Sequence, residues 1–371
     1  MQILMCLFLS FSGVGPAQEK PIVRFGILQD GPSPNFERDF LNLVKQEIRV
    51  LLERDFQVQF PGDKQPNAEF DLNQIRLSLD ALLADEQVDI VLCLGALSTI
   101  EASQRGPFDK PVFAPFGIDP TLPMYPHAGE SSGVHNFNYL VTPTNIARDV
   151  SMIKRMKPVD KVHMVIQDLF AQQIPEIKTF VEATFAAEGL QVAFIQVGSH
   201  PESLLQQLQP DIQMLYITPL IRFGNDQKRE LFEAIKNQGF ATFSMLGREE
   251  VELGAMAGLA PKSDTLRWVR RLALNVQRTL LGEDPGDLPV IFRENSKLVL
   301  NMATARSVSW YPAWDLQISA DLINEDKTIA SEKIDLETAI QRGLAHSPKL
   351  SAVALEMREA QAKIESAKAL T

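Results

Sequence analysis

The sequence predicts an α/β protein built as two lobes of parallel sheet flanked by helices, followed by an α-helical extension. Three observations predict it. Apolar runs of strand length alternate with segments of helical periodicity along the first 130 residues, the pattern that builds parallel sheets covered by helices with right-handed crossovers. A second series of the same alternation begins near Thr144. A different texture begins at Ile334, where alanines and a regular apolar stripe replace strands.

Taken in order, Pro21 to Leu28 reads as the first strand and Gln29 to Pro34 as its loop. Phe36, Phe40, Leu43, Val44, Ile48 and Leu51 then recur at helical spacing. A strand over Phe56 to Phe60 and a helix from Leu72 to Leu83 follow. Ile90 to Leu94 is five apolar residues without interruption, which suits a strand buried on both faces; Gly95 ends it, and Ala96 to Thr99 supplies small residues where a helix starts. Val112 to Ala114 is the next strand, closed by a loop of Phe116, Gly117 and Asp119. Gly133 to Thr142 reads as a short linker, so the lobes form a hinged pair.

In the second series, helix Thr144 to Met156 stops before Pro158. The strands are Val162 to Ile166, Val192 to Val197, Met214 to Ile217 and Thr242 to Met245; the helices between them are Ile174 to Glu188, Glu202 to Leu208 and Gln227 to Gln238. Ser263 or Asp264 can cap a helix carrying Leu266, Val269, Leu272, Val276 and Leu280 on one face, closed by Gly282. Arg267, Arg270, Arg271 and Arg278 fall mainly off that stripe and read as its solvated face. Short strands at Leu288 to Phe292 and Leu298 to Leu300 finish the globular body near Trp314. The boundaries that follow are 21–137 with 264–282 for the N-terminal lobe, 138–263 with 283–315 for the C-terminal lobe, 316–333 as linker and 334–371 as helical extension.

Composition narrows the function. With 371 residues, 45% hydrophobic and 22% charged, the chain can bury a large core. Its 47 acidic and 36 basic residues give a net charge of −11, which disfavours nonspecific attraction to nucleic acid or anionic lipid. Residues 1–17 hold an apolar run from Ile3 to Phe11, then Gly, Pro and Ala, the outline of a secretory signal too short to span a membrane. No Lys or Arg precedes that run. Met5 is bulkier than the small residue a lipid-attachment site carries before its cysteine, which argues against lipidation at Cys6. Cleavage leaves Cys93 as the single cysteine, an inert thiol inside an apolar strand. The periplasm of a Gram-negative bacterium suits these features.

The five histidines are scattered, without the spacing to Cys or carboxylates that binds zinc, so no metal site is expected. There is no G-x-S-x-G elbow, no phosphate-binding glycine loop and no base beside Ser98; neither catalysis nor a cofactor is expected. Candidate ligand contacts come from loops at strand ends, where an open α/β sheet places its crevice. They are Gln29, Asp30, Ala96, Leu97, Ser98, Thr99, Phe116, Asp119, Asn136, Gln167, Asp168, Thr218 and Arg222. Polar side chains here would orient a solute and Phe116 would cover it. The competing structural role is the same at each: helix cap or turn, with Asp119 starting a turn before Pro120 and Ser98 capping a helix.

From about Ile22 to Ala305 the chain resembles the ABC-transporter substrate-binding family whose members look like receptors for aromatic amino acids. The motifs that carry the likeness, in order, are FGILQ, DIVLCLGALST, KPVFAPFGIDP, SGVHN, KPVDKVHMVI, LYITP, ELGAMAG, LLGEDPGDLPV and LVLNMATA. The resemblance implies the type I periplasmic binding fold: two Rossmann-like lobes, three crossings between them, and a small-molecule solute, amino-acid-like or a small anion, held by hinge closure and presented to an ABC permease. Two departures bear on the ligand. Ala96 stands where amino-acid-binding members tend to have Thr, and Pro219 to Arg222 replaces a region that carries an Asp suited to a ligand ammonium, leaving a guanidinium that would favour an anion.

Residues 334–370, IDLETAIQRGLAHSPKLSAVALEMREAQAKIESAKAL, separately resemble the start of TolC-type outer-membrane efflux proteins, with a short helix, a Ser-Pro break and an Ala-rich long helix. That likeness implies efflux-complex subunits as partners and an outer-membrane association. The lobes would then sense or load cargo, or act as a scaffold whose cleft is vestigial.

Overall fold

The computed structural model describes residues 20–32, 40–141, 145–259, 265–291 and 297–325, together with 337–338, 359–360 and 363. The chain divides into two units, Met1–Asn324 and Glu325–Thr371. In the second, the few described residues are helical. The short helix and long Ala-rich helix expected over 334–370, and the secretory signal over 1–17, otherwise lie outside the described residues.

The first unit holds two sheets. The first comprises β1 (Ile22–Gln29), β2 (Gln57–Gln59), β3 (Ile90–Leu94), β4 (Val112–Gly117) and β5 (Phe137–Val141), all parallel, in the order β2-β1-β3-β4-β5. Helices α1 (Asn42–Leu52), α2 (Leu72–Ala84) and α3 (Ala96–Ser103) make its crossovers. β3 is buried along its whole length, as five consecutive apolar residues require. Asp71 caps α2 by accepting from the Asn73 and Gln74 amides at 2.8 and 3.0 Å.

The chain passes to the second sheet after Val141. There α4 (Ile146–Met156), β6 (Lys161–Gln167), α5 (Asp168–Gln173), α6 (Ile177–Ala187), β7 (Gln191–Val197), α7 (Glu202–Leu205), β8 (Leu215–Ile217), α8 (Asn225–Asn237), β9 (Thr242–Ser244), α9 (Arg248–Leu253) and β10 (Ala257–Gly258) follow. Then α10 (Thr265–Leu280) returns to the first lobe and packs Val269, Leu272 and Val276 into one cluster with Val44 and Ile48 of α1. A last crossing brings β11 (Val299–Asn301), α11 (Met302–Ser307), α12 (Trp314–Ser319) and β12 (Asp321–Ile323) back to the second sheet.

That sheet has the order β12-β11-β10-β9-β8-β6-β7. It is parallel except where β10 meets β11. Within it, β7-β6-β8-β9-β10 repeats the order of the first sheet.

The lobe boundaries differ from those expected. FNYLV is β5 rather than linker: Asn138 hides the strand pattern, but its side chain is buried and satisfied, donating to the Pro285 and Leu288 carbonyls at 3.4 and 3.1 Å and accepting from Asn275 Nδ2 at 2.9 Å. Residues 138–141 therefore belong to the first sheet. So do 285–291, since Pro289 bridges Ser131 and Ile291 bridges Val141. Residues 316–323 are not a linker, because β12 pairs β11 in register. The helix expected over Ile174 to Glu188 is α6, which starts three residues later, after Pro175, and a further short helix, α5, precedes it over Asp168–Gln173.

Candidate ligand cleft

A sheet of order 2-1-3-4-5 splits its crossovers to opposite faces at one point, between strands 1 and 3, and the carboxyl ends there frame a crevice. Here those points lie between β1 and β3 in the first lobe and between β6 and β8 in the second. Gln29, Asp30 and Ala96 to Thr99 stand at the first, and Gln167, Asp168, Thr218 and Arg222 at the second.

In the first lobe the polar residues mostly serve the chain itself. The Asp30 carboxylate accepts from the Leu97 amide at 2.6 Å and the Ser98 amide at 2.9 Å, satisfying the first turn of α3. A β-carbon on Gly95 would stand 2.1 Å from the Asp30 Cγ, so glycine is needed for this close approach. Burial pushes the Asp30 carboxyl above its ordinary range, against the two amide bonds that hold it down. Gln29 is bound through its backbone to Pro66 and Ala68. Leu97, Ser98 and Thr99 are fully buried: Ser98 Oγ donates to the Gly95 carbonyl at 3.3 Å, and Thr99 Oγ1 accepts from the Phe116 amide at 3.3 Å. Ala96 is half-buried. Phe116 lays its ring 5.1 Å from that of Phe40.

Two sequence candidates are placed otherwise than expected. Asp119 is fully buried and binds both the turn it starts and the next lobe: one oxygen accepts from the Thr121 amide and hydroxyl at 2.8 and 2.6 Å, the other from the Ile146 amide at 2.7 Å, the first turn of α4. Asn136 lies at the amino end of β5, the edge opposite the crevice. With φ of 58° it takes the left-handed turn before the strand, donating to the Phe108 carbonyl at 3.0 Å and, through its amide, to Asp284 at 2.9 Å. Its role is a turn.

The second lobe gathers its four candidates. Arg222 Nη1 stands 2.7 Å from Asp168 Oδ1, and the Arg222 amide donates to Gln167 Oε1 at 3.3 Å. Thr218 Oγ1 donates to the Val165 carbonyl at 2.8 Å. The guanidinium charge is thus balanced by Asp168, which weakens the expectation of an anionic ligand drawn from Arg222 alone. Gln167 is fully buried, and its Nε2 has no hydrogen-bond partner among the described residues.

Gln173 was not among the sequence candidates. From the last position of α5 its Nε2 donates to the Leu97 carbonyl at 2.8 Å, crossing between the lobes, while its Oε1 is buried and unpartnered among the described residues. No signal in the sequence points to it, because the contact depends on the chain reversal that brings α5 to α3. Around this contact one apolar cluster runs through both lobes, including Leu97, Ile100, Leu122, Leu169, Phe170 and Ile174.

A buried polar group joins α4 to β8. Tyr216 Oη donates to Asp149 Oδ2 at 2.9 Å, and Arg148 Nη2 stands 3.2 Å from Asp149 Oδ1. Burial, assisted by Asp119, lifts the Asp149 carboxyl to about 7 against the pull of Arg148 and Tyr216. The Cys93 thiol is buried and pushed up by burial, in keeping with an inert core role. Among the described residues no group of three or more His, Cys, Asp or Glu is placed to hold a metal ion, and no helix is long and apolar enough to cross a membrane.

No protein-family model and no curated protein sequence matches the chain. Solved structures do match. An ABC domain in complex with L-Trp from Streptococcus pneumonia superposes with a TM-score of 0.61 at 19% identity, covering 81% of this chain and 99% of that one. A conserved domain protein from Vibrio cholerae O1 biovar El Tor superposes at 0.62 with 17% identity and the same coverages. Identities this low speak for the fold. The fold is that of type I periplasmic binding proteins: two parallel-sheet lobes flanked by helices.

Proposed function

We propose that the chain is a non-enzymatic periplasmic solute-binding protein of an ABC transport system, holding a small molecule between its lobes. The observation that carries the reading is that Gln167 and Gln173, on the second lobe's side of the crevice, offer a buried amide nitrogen and a buried amide oxygen, each lacking a partner among the described residues, while Gln173 also bonds across to the first lobe. An unpaired buried polar atom is costly, so a solute supplying one acceptor and one donor would be favoured there. An amino-acid-like molecule has both, and the compensated Arg222–Asp168 pair can meet either of its charges. The neighbour bound to L-Trp has the same fold, which supports a solute of that size. A solute touching both lobes favours the closed state by its differential affinity, and closure is what a permease would read.

A second reading has its own support. The continuous apolar cluster between the lobes fits a scaffold or sensor module with an unused cleft, attached to the TolC-like segment. Thermal melting of the chain against amino acids, purines, sugars and organic anions separates the two. A ligand that binds only the native state raises the melting temperature by mass action. A rise with one solute class supports the binding protein; no shift across all classes supports the scaffold.

A further inference from the structure

The outer face of the α1–α10 pair differs in charge from the rest of the molecule. The two helices lie side by side with their carboxyl ends together, Gln277 Nε2 reaching the Leu51 carbonyl at 3.1 Å. On a chain of net charge −11, α10 carries four arginines and no acid over its whole length, with Arg278 at its end paired to Glu283. Arg49 of α1, Arg54 just beyond it and Lys20 before β1 extend the basic face and line a hollow of about 950 Å³ at the amino end of the first sheet, together with one acid, Glu53, whose main-chain carbonyl accepts from Lys20 Nζ. Several cations elsewhere in this lobe are matched to acids, as in Lys64–Asp85, Arg76–Glu101 and Arg105–Asp80. Arg49, Arg54, Arg270 and Arg271 have no carboxylate partner among the described residues. Exposed apolar side chains lie among them: Ile22 (41% exposed), Val50 (58%), Leu266 (48%) and Leu281 (69%).

We propose that this face docks on an anionic lipid bilayer, with a lipid phosphate seated in the hollow between Lys20, Arg49 and Arg54. Cations interspersed with exposed aliphatic side chains match the headgroup layer of a membrane, where the charges meet phosphates and the apolar groups enter the acyl boundary. The net negative charge does not oppose this, because salt screens charges beyond about 8 Å and the local balance stays basic, although Glu53 lines the hollow and Glu283 pairs with Arg278. Docking here leaves the strand-end crevice free, since the hollow lies at the opposite edge of the sheet.

The test is co-sedimentation of the full chain with vesicles of phosphatidylcholine alone and of equal parts phosphatidylglycerol and phosphatidylcholine. The ratio of the two partition coefficients is the readout, so any contribution of the amino-terminal apolar run cancels. The expected ratio is about tenfold or more at low salt, falling towards one at high salt and in R49E/R54E and R270E/R271E. These residues are at the surface, and an unchanged melting curve shows that each variant folds. A ratio of one for the unaltered chain, or an unchanged ratio in both variants, overturns the proposal. So does self-association lost in the same variants without any preference for anionic vesicles, which assigns the face to an acidic protein surface instead.

Discussion

Gln173 of the second lobe donates from Nε2 to the main-chain carbonyl of Leu97 in the first at 2.8 Å, so the two strand-end loops are joined by a bond that is buried and independent of the Leu97 side chain. Removing the amide takes away the donor that this carbonyl receives from the other lobe. Gln173→Ala is expected to cost about 1–3 kcal/mol of stability by chemical denaturation, and more than that in solute affinity if closure and binding are linked.

Arg222→Ala is expected to separate binding from stability. Its ion pair with Asp168 is partly exposed, so its loss should change the unfolding free energy by about 1 kcal/mol or less. A solute bonded to the guanidinium would lose a charge-assisted hydrogen bond, a drop in affinity of about tenfold or more by calorimetric titration. Equal loss of stability and no loss of affinity would make the pair a purely structural one.

Asn136 offers the converse case. Alanine there loses the bond to the Phe108 carbonyl and keeps a left-handed φ that alanine resists. The expected cost is about 1–2 kcal/mol in stability, with solute affinity unchanged, because the residue lies at the far edge of the sheet.

Stability should also depend on pH through Asp149. Its carboxyl is raised to about 7 in the folded protein, above the ordinary value of 3.8, so the folded state holds a proton that the unfolded chain releases. Stability from this group is complete below the unfolded value and is lost as pH rises through about 7, by on the order of a few kcal/mol. The lowered carboxyls of Asp284 and Asp321 act with the opposite sign, and their stabilisation is lost only as pH falls below the ordinary carboxylate value. Asp149→Asn, which mimics the protonated acid, should flatten the fall between about pH 4 and 7 in denaturation measured across that range.

The strands and helices that carry these residues were legible where periodicity is strong. Ile90 to Leu94 is β3 to the residue, and the α10 stripe ends at Leu280 as its spacing indicates. β5 was missed because a buried asparagine looks like a linker residue until Asn275 and the Pro285 and Leu288 carbonyls are seen around it. β10 and β12 are two and three residues long, too short to make a pattern. At the site, the loops were legible but their roles were not. Asp30 and Asp119 look like solute contacts in sequence, and only distances reveal that both spend their oxygens on backbone amides, Asp119 on one from the other lobe. Gln173 could not be found without the chain reversal that brings α5 to α3.

Hydrogen–deuterium exchange of the chain with and without the solute that shifts its melting most tests the central claim most directly. Protection is expected at Leu97 and Ser98 in one lobe together with Asp168, Leu169 and Arg222 in the other, because a single solute grips both. Protection confined to one lobe, or to neither with any solute, would contradict it.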